Sequence, residues 1–276
     1  MNPSLDRRVK PREYNPHYAA KLMHGTEFNG TPLFPCLVSE KLNGLRCMWH
    51  PLHGFYSKTG KRWNDGVLYH IEPEGDYILD GELYCKGMSL QQIMDEVPVN
   101  ARAPGANAEA IEFHVFDILT DESALARWER IKTSLTGRGV TTVQQHYVNR
   151  ESDYRTHLAY YRAMQCEGMM VKFANARYTP GRKHGNLLKV KFWQTIELPI
   201  VSVVEGEGKC AGMVGAFVFK LRGKTFEVGT MQLDYPARIS FFNHPHHLMA
   251  KIRYLNLSDD GIPLNASVEA VWEEVI

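Results

Sequence analysis

The feature that most constrains this chain is a change of texture near residue 195. Upstream, short apolar runs alternate with helical patterns. Downstream, residues 196–204, 213–221, 225–231 and 252–257 read as short strands, with Gly206, Gly208, Gly212, Gly215, Gly223 and Gly229 as turn signals around them. A run of short strands separated by turn residues predicts a small β-barrel, for which an OB-fold is the natural form.

Upstream strands are expected at 36–38, 45–49, 77–79, 112–119, 168–173 and 187–192. Leu90, Ile93, Met94 and Val97 follow helical spacing behind Ser89, a suitable N-cap. Tyr154, Leu158 and Tyr161 mark a second helix capped by Ser152 or Asp153, and Leu125, Trp128 and Ile131 a third. The expectation is an α+β chain: antiparallel sheets with helices over 1–194, then the small β-barrel over 195–276.

Composition removes several classes. With 44% hydrophobic and 23% charged residues the chain is neither disordered nor fibrous. A net charge of +1 gives no global pull toward nucleic acid, though it leaves room for a basic face. No apolar stretch reaches the ~20 residues of a membrane span. Five scattered cysteines and a polar, basic start (Arg7, Arg8, Lys10, Arg12) point to a reducing, cytoplasmic setting, with no partner motif to suggest more than a monomer.

The chemistry begins at Lys41-Leu42-Asn43-Gly44, expected in the turn between the first two strands. Lys-x-x-Gly occurs three times, also at Lys209–Gly212 and Lys220–Gly223, but only the first continues into an arginine, Arg46. Four further segments follow in order: Asp80-Gly81-Glu82-Leu83, Phe113-His114-Val115-Phe116-Asp117, Glu167-Gly168-Met169-Met170-Val171-Lys172 and Lys189-Val190-Lys191. A lysine attacks phosphorus only as the neutral amine, and an unperturbed lysine (pKa about 10.4) is about one part in a thousand neutral near pH 7.5. Neighbouring cations lower that pKa, and Arg46, Lys189, Lys191 and a bound metal ion could do so while neutralising an α-phosphate.

Taken in order, these segments resemble nucleotidyltransferase motifs I, III, IIIa, IV and V of the covalent nucleotidyltransferases, most closely small ATP-dependent DNA ligases of bacterial and phage type. The resemblance implies an ATP-grasp-like nucleotidyltransferase domain followed by an OB domain that closes over the nucleotide and later presses DNA to the site. It implies a nucleophile at Lys41 that carries AMP from ATP, with Mg²⁺ or Mn²⁺. Phosphate-gripping cations at Lys189 and Lys191 go with it, and the product is a sealed nick in duplex DNA, in repair or replication. Arg46 and Glu82 would hold the ribose, Phe116 would stack on adenine, and Glu167 would contact ribose or metal, so the metal set is Glu82 and Glu167. Glu40 and Lys172 complete the nucleotide-binding set. Lys58, in Ser57-Lys58-Thr59-Gly60, together with Arg182 and Lys183, would contact DNA phosphates.

Plainer readings stand beside these. Phe116 also suits a strand core, Asp80-Gly81 a simple turn, Lys189 and Lys191 an edge-strand face, and Lys172 a solvated lysine. Glu40 before Lys41 is common in RNA ligases, which share the lysine chemistry; capping enzymes and a silent nucleotide-binding module fit less well. His244-Pro245-His246-His247 lacks the partners of a metal site. Asn43 stands where the family shows aspartate. The arginines of motif VI are replaced by Leu264-Asn265-Ala266-Ser267 and by Glu269, Glu273 and Glu274, so Lys209 or Arg222 is expected to compensate.

Overall fold

The computed structural model describes residues 21–182, 185–230, 232–245 and 247–273. The chain divides into two compact units between Lys191 and Phe192.

Ten strands of the first unit form two five-stranded sheets. They are β1 (Thr26–Glu27), β2 (Cys36–Glu40), β3 (Leu45–His50), β4 (Gly54–Ser57), β5 (Leu79–Tyr84), β6 (Glu112–Ile118), β7 (Val140–Thr142), β8 (Gln145–Val148), β9 (Gly168–Phe173) and β10 (Leu187–Lys191). One sheet runs β7-β6-β5-β3-β4 and the other β8-β2-β9-β10-β1. All neighbours are antiparallel except β7 with β6 and β10 with β1.

The first sheet follows the two-residue period of a strand. Cys47, Trp49, Leu79, Leu83, Phe113 and Val115 enter one apolar core with Ile93 and Val97 from α1 (Leu90–Glu96) and its C-cap. Ser89 starts that helix with a complete capping box to Gln92, as its position foretold. Helix α2 (Ala124–Ser134) is capped by Ser123 and buries Ala124, Arg127, Trp128 and Ile131. Helix α3 (Glu151–Ala163) buries Tyr154 and Tyr161, but its N-cap is Arg150, not Ser152 or Asp153. Asp153 is instead in the first turn, where its charge suits the helix dipole and its carboxylate accepts from Arg150 Nε.

Asp80-Gly81-Glu82-Leu83 lies inside β5, which starts at Leu79, where the sequence pattern had the strand ending. The Asp-Gly pair that reads as a turn is a strand glycine instead. A Cβ at Gly81 would collide with the backbone of His114 on β6 and with the Phe113 ring.

In the second unit β11 (Gln194–Glu205), β12 (Val214–Leu221), β13 (Lys224–Gly229), β14 (Leu248–Tyr254) and β15 (Ser267–Glu273) form an antiparallel sheet, β13-β12-β11-β14-β15. Phe217, Phe219, Ile252 and Val268 anchor its core. Among the described residues no strand pairing joins β13 to β15, so the OB-type sheet is not closed into a hydrogen-bonded barrel. Helix α4 (Tyr235–Asn243), capped by Asp234, was not foreseen. Nor was β15, which occupies the segment where arginines were missed; there Glu269 pairs with Lys251. Lys209 sits on an exposed 3₁₀ turn, and Arg222 takes a left-handed φ of 51° in the β12–β13 hairpin. His246 lies outside the described residues, and among those described no group of three or more His, Cys, Asp or Glu is placed to hold a metal.

Candidate active site

Strand periodicity builds most of the site. Because Leu79 and Leu83 face the core, Asp80 and Glu82 share the opposite face of β5, and on β3 Arg46 does the same. Directly opposite, the second sheet aligns Ser39, Met170 and Lys189 across β2, β9 and β10. Together these residues line a cavity of about 690 Å³ within the first unit, a volume suited to a nucleotide-sized ligand.

Lys41 follows β2 and is anchored by its backbone N–H to the Gly168 carbonyl at 3.0 Å. Its ammonium donates to Glu167 Oε1 at 2.5 Å. The other Glu167 oxygen is buried without a hydrogen-bond partner, an orphaned acceptor beside the lysine. Gly44 brings this turn against β5: a Cβ there would strike the Leu83 carbonyl and the Glu82 side chain. The motif glycine is therefore a packing requirement.

Phe116 owes its exposure to a register fault. Asp80 pairs with Asp117 but Gly81 pairs with Val115, which leaves Phe116 as the extra residue of a β-bulge. A bulge re-aims its side chain and frees its backbone from the ladder. The ring joins the cavity wall, and its carbonyl accepts from Lys172 Nζ at 2.7 Å and Gln145 Nε2 at 2.8 Å. Phe116 is thus a wall residue and not core.

Arg46 lies over that ring at 4.6 Å and donates twice to Asp80, each at 2.6 Å. Tyr178 donates to the same carboxylate at 2.6 Å. The expected partner of Arg46 was a ribose; its guanidinium is held by Asp80, a partner its motif did not indicate. Lys172 lines the cavity and is not solvated. It is buried, paired with Asp117 at 3.1 Å, and Asp117 is gripped in turn by Arg127 of α2. Arg127 went unnoticed, although a cation on the buried stripe Ala124-Arg127-Trp128-Ile131 was a readable signal.

The remaining expected residues are distributed unevenly. Glu40 lines the cavity and receives the Cys166 thiol, which burial and then this carboxylate push up to about 11. Lys58 is exposed at the rim in its turn after β4. Lys191 is not part of the wall and pairs with Glu27 at 3.0 Å. Arg182 has its backbone beside His24, and Lys183 lies outside the described residues.

The cavity is electrostatically poised for an anion. Burial, with Lys41, Lys58, Arg46 and Lys191 adding to it, brings Lys189 down to about 8. His24 is lowered by burial and by Arg46, Lys58 and Lys189. Burial pushes Glu82 up to about 7 against the pull of Arg46 and Lys41. A carboxyl raised on folding contributes stability below its unfolded value near 4.5 and loses it as pH rises through 7. Glu82→Gln should therefore stabilise the ligand-free protein at pH 8 by about 1 kcal/mol once partial solvent access is allowed for. Thermal unfolding should show a rise of about 2–4 °C at pH 8 and none at pH 4; an equal gain at both pH values would remove ionisation as the cause.

A family model described as the ATP dependent DNA ligase domain matches residues 37–191, and one described as a DNA ligase OB-like domain matches residues 205–271. The DNA ligase of Haemophilus influenzae is 25% identical over 207 residues, 74% of this chain and 75% of that one. A probable DNA ligase of Streptomyces griseus is 26% identical over 280 residues, covering 87% of this chain; the match spans 52% of that protein's length. Among solved structures, a Lig E DNA ligase studied for DNA binding with a minimal scaffold gives a TM-score of 0.75 at 21% identity, covering 91% of this chain and 98% of that one. The Chlorella virus DNA ligase-adenylate gives 0.53 at 19% identity, over 94% and 100%. At these identities the structural likeness speaks to the fold.

Proposed function

The chain belongs to the ATP-dependent DNA ligases, whose members work through lysyl-AMP, and from that premise we propose that Lys41 carries the adenylate with which the protein seals nicks in duplex DNA. The observation that carries this reading is the placement of Lys41 against Glu167 at 2.5 Å, beside the cations of the cavity and the Phe116 ring.

The adenine stacks on Phe116, Arg46 and Glu82 hold the ribose, and the triphosphate meets Lys189. Glu167 holds Lys41 Nζ and is the base within reach of its proton. The freed lone pair attacks the α-phosphorus, the bond to the bridging oxygen breaks, and pyrophosphate leaves with that electron pair. Next, an oxygen of the DNA 5′-phosphate attacks the same phosphorus, and Lys41 departs as the amine, its nitrogen taking back the proton from Glu167. Finally the 3′-hydroxyl attacks the 5′-phosphate and AMP leaves. An anion bound beside Lys189 offsets the burial and the cation repulsion that lower it, and so favours its ammonium form.

The donor set fits a divalent ion shared with phosphate oxygens. Glu167 offers an orphaned buried oxygen and Glu82 a second carboxylate nearby. Mg²⁺ or Mn²⁺ bound there would supply charge neutralisation at the phosphates. Lys58 and the Arg182–Lys183 segment are assigned to DNA phosphates. The five free thiols suit a reducing bacterial or phage-infected cytoplasm, and no described helix is long and apolar enough to cross a membrane.

The test is a gel of the pure protein after incubation with ATP labelled at the α-phosphate, chased with nicked DNA. Label should move to protein and then to AMP, with a sealed strand appearing. Sealing should fall steeply with salt, by about 0.9 in log K per log unit of salt for each phosphate contact. Lys220→Ala, at a look-alike motif with no expected role, should label like the parent. Faster joining of RNA-only nicks than of DNA nicks would overturn the substrate assignment.

A further inference from the structure

One titratable residue of the cavity wall has no part in the reaction as described. His24 lines the cavity and is partly exposed. It lies on the two-residue strand Met23–His24, which pairs in parallel with Gly181–Arg182. That strand is pinned from several sides. The Met23 N–H donates to Tyr178 Oη at 3.0 Å, Arg46 Nη2 donates to the Met23 carbonyl at 3.2 Å, and the Gly181 N–H donates to the Leu22 carbonyl at 2.9 Å. Beyond the histidine, Gly25 lets the chain lie along a lysine: a Cβ there would stand 2.8 Å from Lys189 Cε and 2.9 Å from its Cγ. Thr26 and Glu27 then pair with Leu188 and Lys189. The backbone around His24 is thus held to Arg46 on one side and to Lys189 on the other.

Charges reach this imidazole from four elements. Arg46 of β3, Lys58 of the turn after β4 and Lys189 of β10 add to burial in lowering it, and Asp80 of β5 opposes them. Among three cations and one carboxylate the ring stays neutral at pH 7, with one N–H to donate. A fourth positive charge there would be costly. A phosphate dianion reverses the sign of those surroundings, and the ring then serves it as a donor, whether neutral or protonated.

We propose that His24 is a ligand of the DNA 5′-phosphate: its ring N–H donates to one phosphate oxygen while another attacks the adenylate. Lys58 is the cation assigned to DNA, and Lys189 the cation assigned to the nucleotide. A side chain within electrostatic reach of both is placed where the acceptor phosphate has to meet the α-phosphorus. His24 neither takes nor gives a proton in that step; the bonds formed and broken are those of the second step above. Its part is to hold the attacking group in line, which favours the transfer of AMP to DNA over the loading of AMP from ATP.

This role rests on the reading of the cavity as the site of lysyl-AMP formation and transfer, and the experiment separates the two. Protein pre-loaded with AMP is mixed with excess 5′-phosphorylated nicked DNA and Mg²⁺, and AMP transfer is followed in a single turnover over a range of DNA concentrations. The parent, His24→Leu and His24→Gln are compared, with a 5′-hydroxyl nick, which cannot accept AMP, as competitor. In His24→Leu the DNA concentration giving half-maximal transfer should rise about tenfold or more. The inhibition constant of the 5′-hydroxyl nick should stay within about twofold, since that nick has no phosphate to lose. His24→Gln keeps a side-chain N–H and should recover most of the loss. Labelling from ATP should change far less than transfer. A purely structural role would weaken both nicks alike and overturns the proposal, as does transfer by His24→Leu at parent affinity. A loss confined to labelling from ATP overturns it too, by giving the ring to the triphosphate. If His24→Leu does not fold, His24→Ala takes its place with the same outcomes. A parent that takes no label from ATP, or passes none to the nick, refutes the reading of the cavity itself.

Discussion

Lys41→Ala is expected to lower formation of the protein–AMP adduct below detection, a loss of at least about 10⁴-fold, with the fold unchanged. Lys41 is only partly exposed, at 18%, and its ammonium pairs with Glu167. Removing it deletes no core atom but leaves the Glu167 carboxylate without its cation, so the thermal midpoint should fall modestly while the fold is retained. The decisive comparison uses DNA that already carries AMP on its 5′-phosphate. Joining that substrate forms no bond to Nζ, so the variant should keep sealing it, with a reduction confined to the lost positive charge. The two substrates thus separate nucleophile from scaffold. A variant that still labels from ATP would place the nucleophile elsewhere. A variant that loses both steps equally would make Lys41 a binding residue instead.

What the sequence made legible was whatever strand periodicity and turn chemistry encode. The capping box at Ser89, the strand–turn–strand about Lys41 and the strand that follows Glu167 were readable because each signal is local. The shared face of Asp80 and Glu82 is also local, but the Asp-Gly pair imitates a turn and masked the strand that holds it. Phe116 could be nominated from its motif, yet nothing in its neighbours announces a bulge. The extra residue exists only relative to Gly81 on another strand. The buried ionic group was less legible still. Asp117, Arg127 and Lys172 are separated along the chain, and each alone reads as a surface charge. Arg127 was the exception that periodicity exposed, since it interrupts an otherwise apolar stripe on α2. In the second unit, β15 was hidden because its alternating Ser-Val-Glu-Ala-Val-Trp-Glu was weighed for missing arginines and not for its period.

Arg127→Met should be the most destabilising single change near the site, at about 3–5 kcal/mol, a drop of roughly 10 °C in thermal midpoint. The guanidinium has no solvent exposure and makes four hydrogen bonds. Two go to Asp117, at 2.6 and 3.2 Å, one to the Glu122 carbonyl at 2.6 Å and one to the Ala176 carbonyl at 3.0 Å. Methionine fills the volume but leaves two carbonyls unpaired and Asp117 with Lys172 as its remaining cation. Burial by itself would raise Asp117; Lys172 and Arg127 override it and hold the carboxyl below its usual value. A carboxylate depressed on folding contributes stability above its unfolded value, near 3.8, and loses it as pH falls through the folded one. Without Arg127 that contribution shrinks, so the deficit of the variant should be full at neutral pH and narrow as pH drops below about 4 and the carboxyl protonates. The consequence reaches the site through Lys172. With less competition for Asp117, the ammonium is drawn from the Phe116 carbonyl that it also holds, which loosens the ring on which adenine stacks. In variant protein held below its lowered midpoint, KM for ATP should therefore rise several-fold, while sealing of pre-adenylylated DNA changes little. Denaturant unfolding at pH 7 and pH 3.5 with both kinetic readouts tests the chain of cause. A deficit independent of pH would remove the charge argument, and an unchanged KM would confine Arg127 to the core.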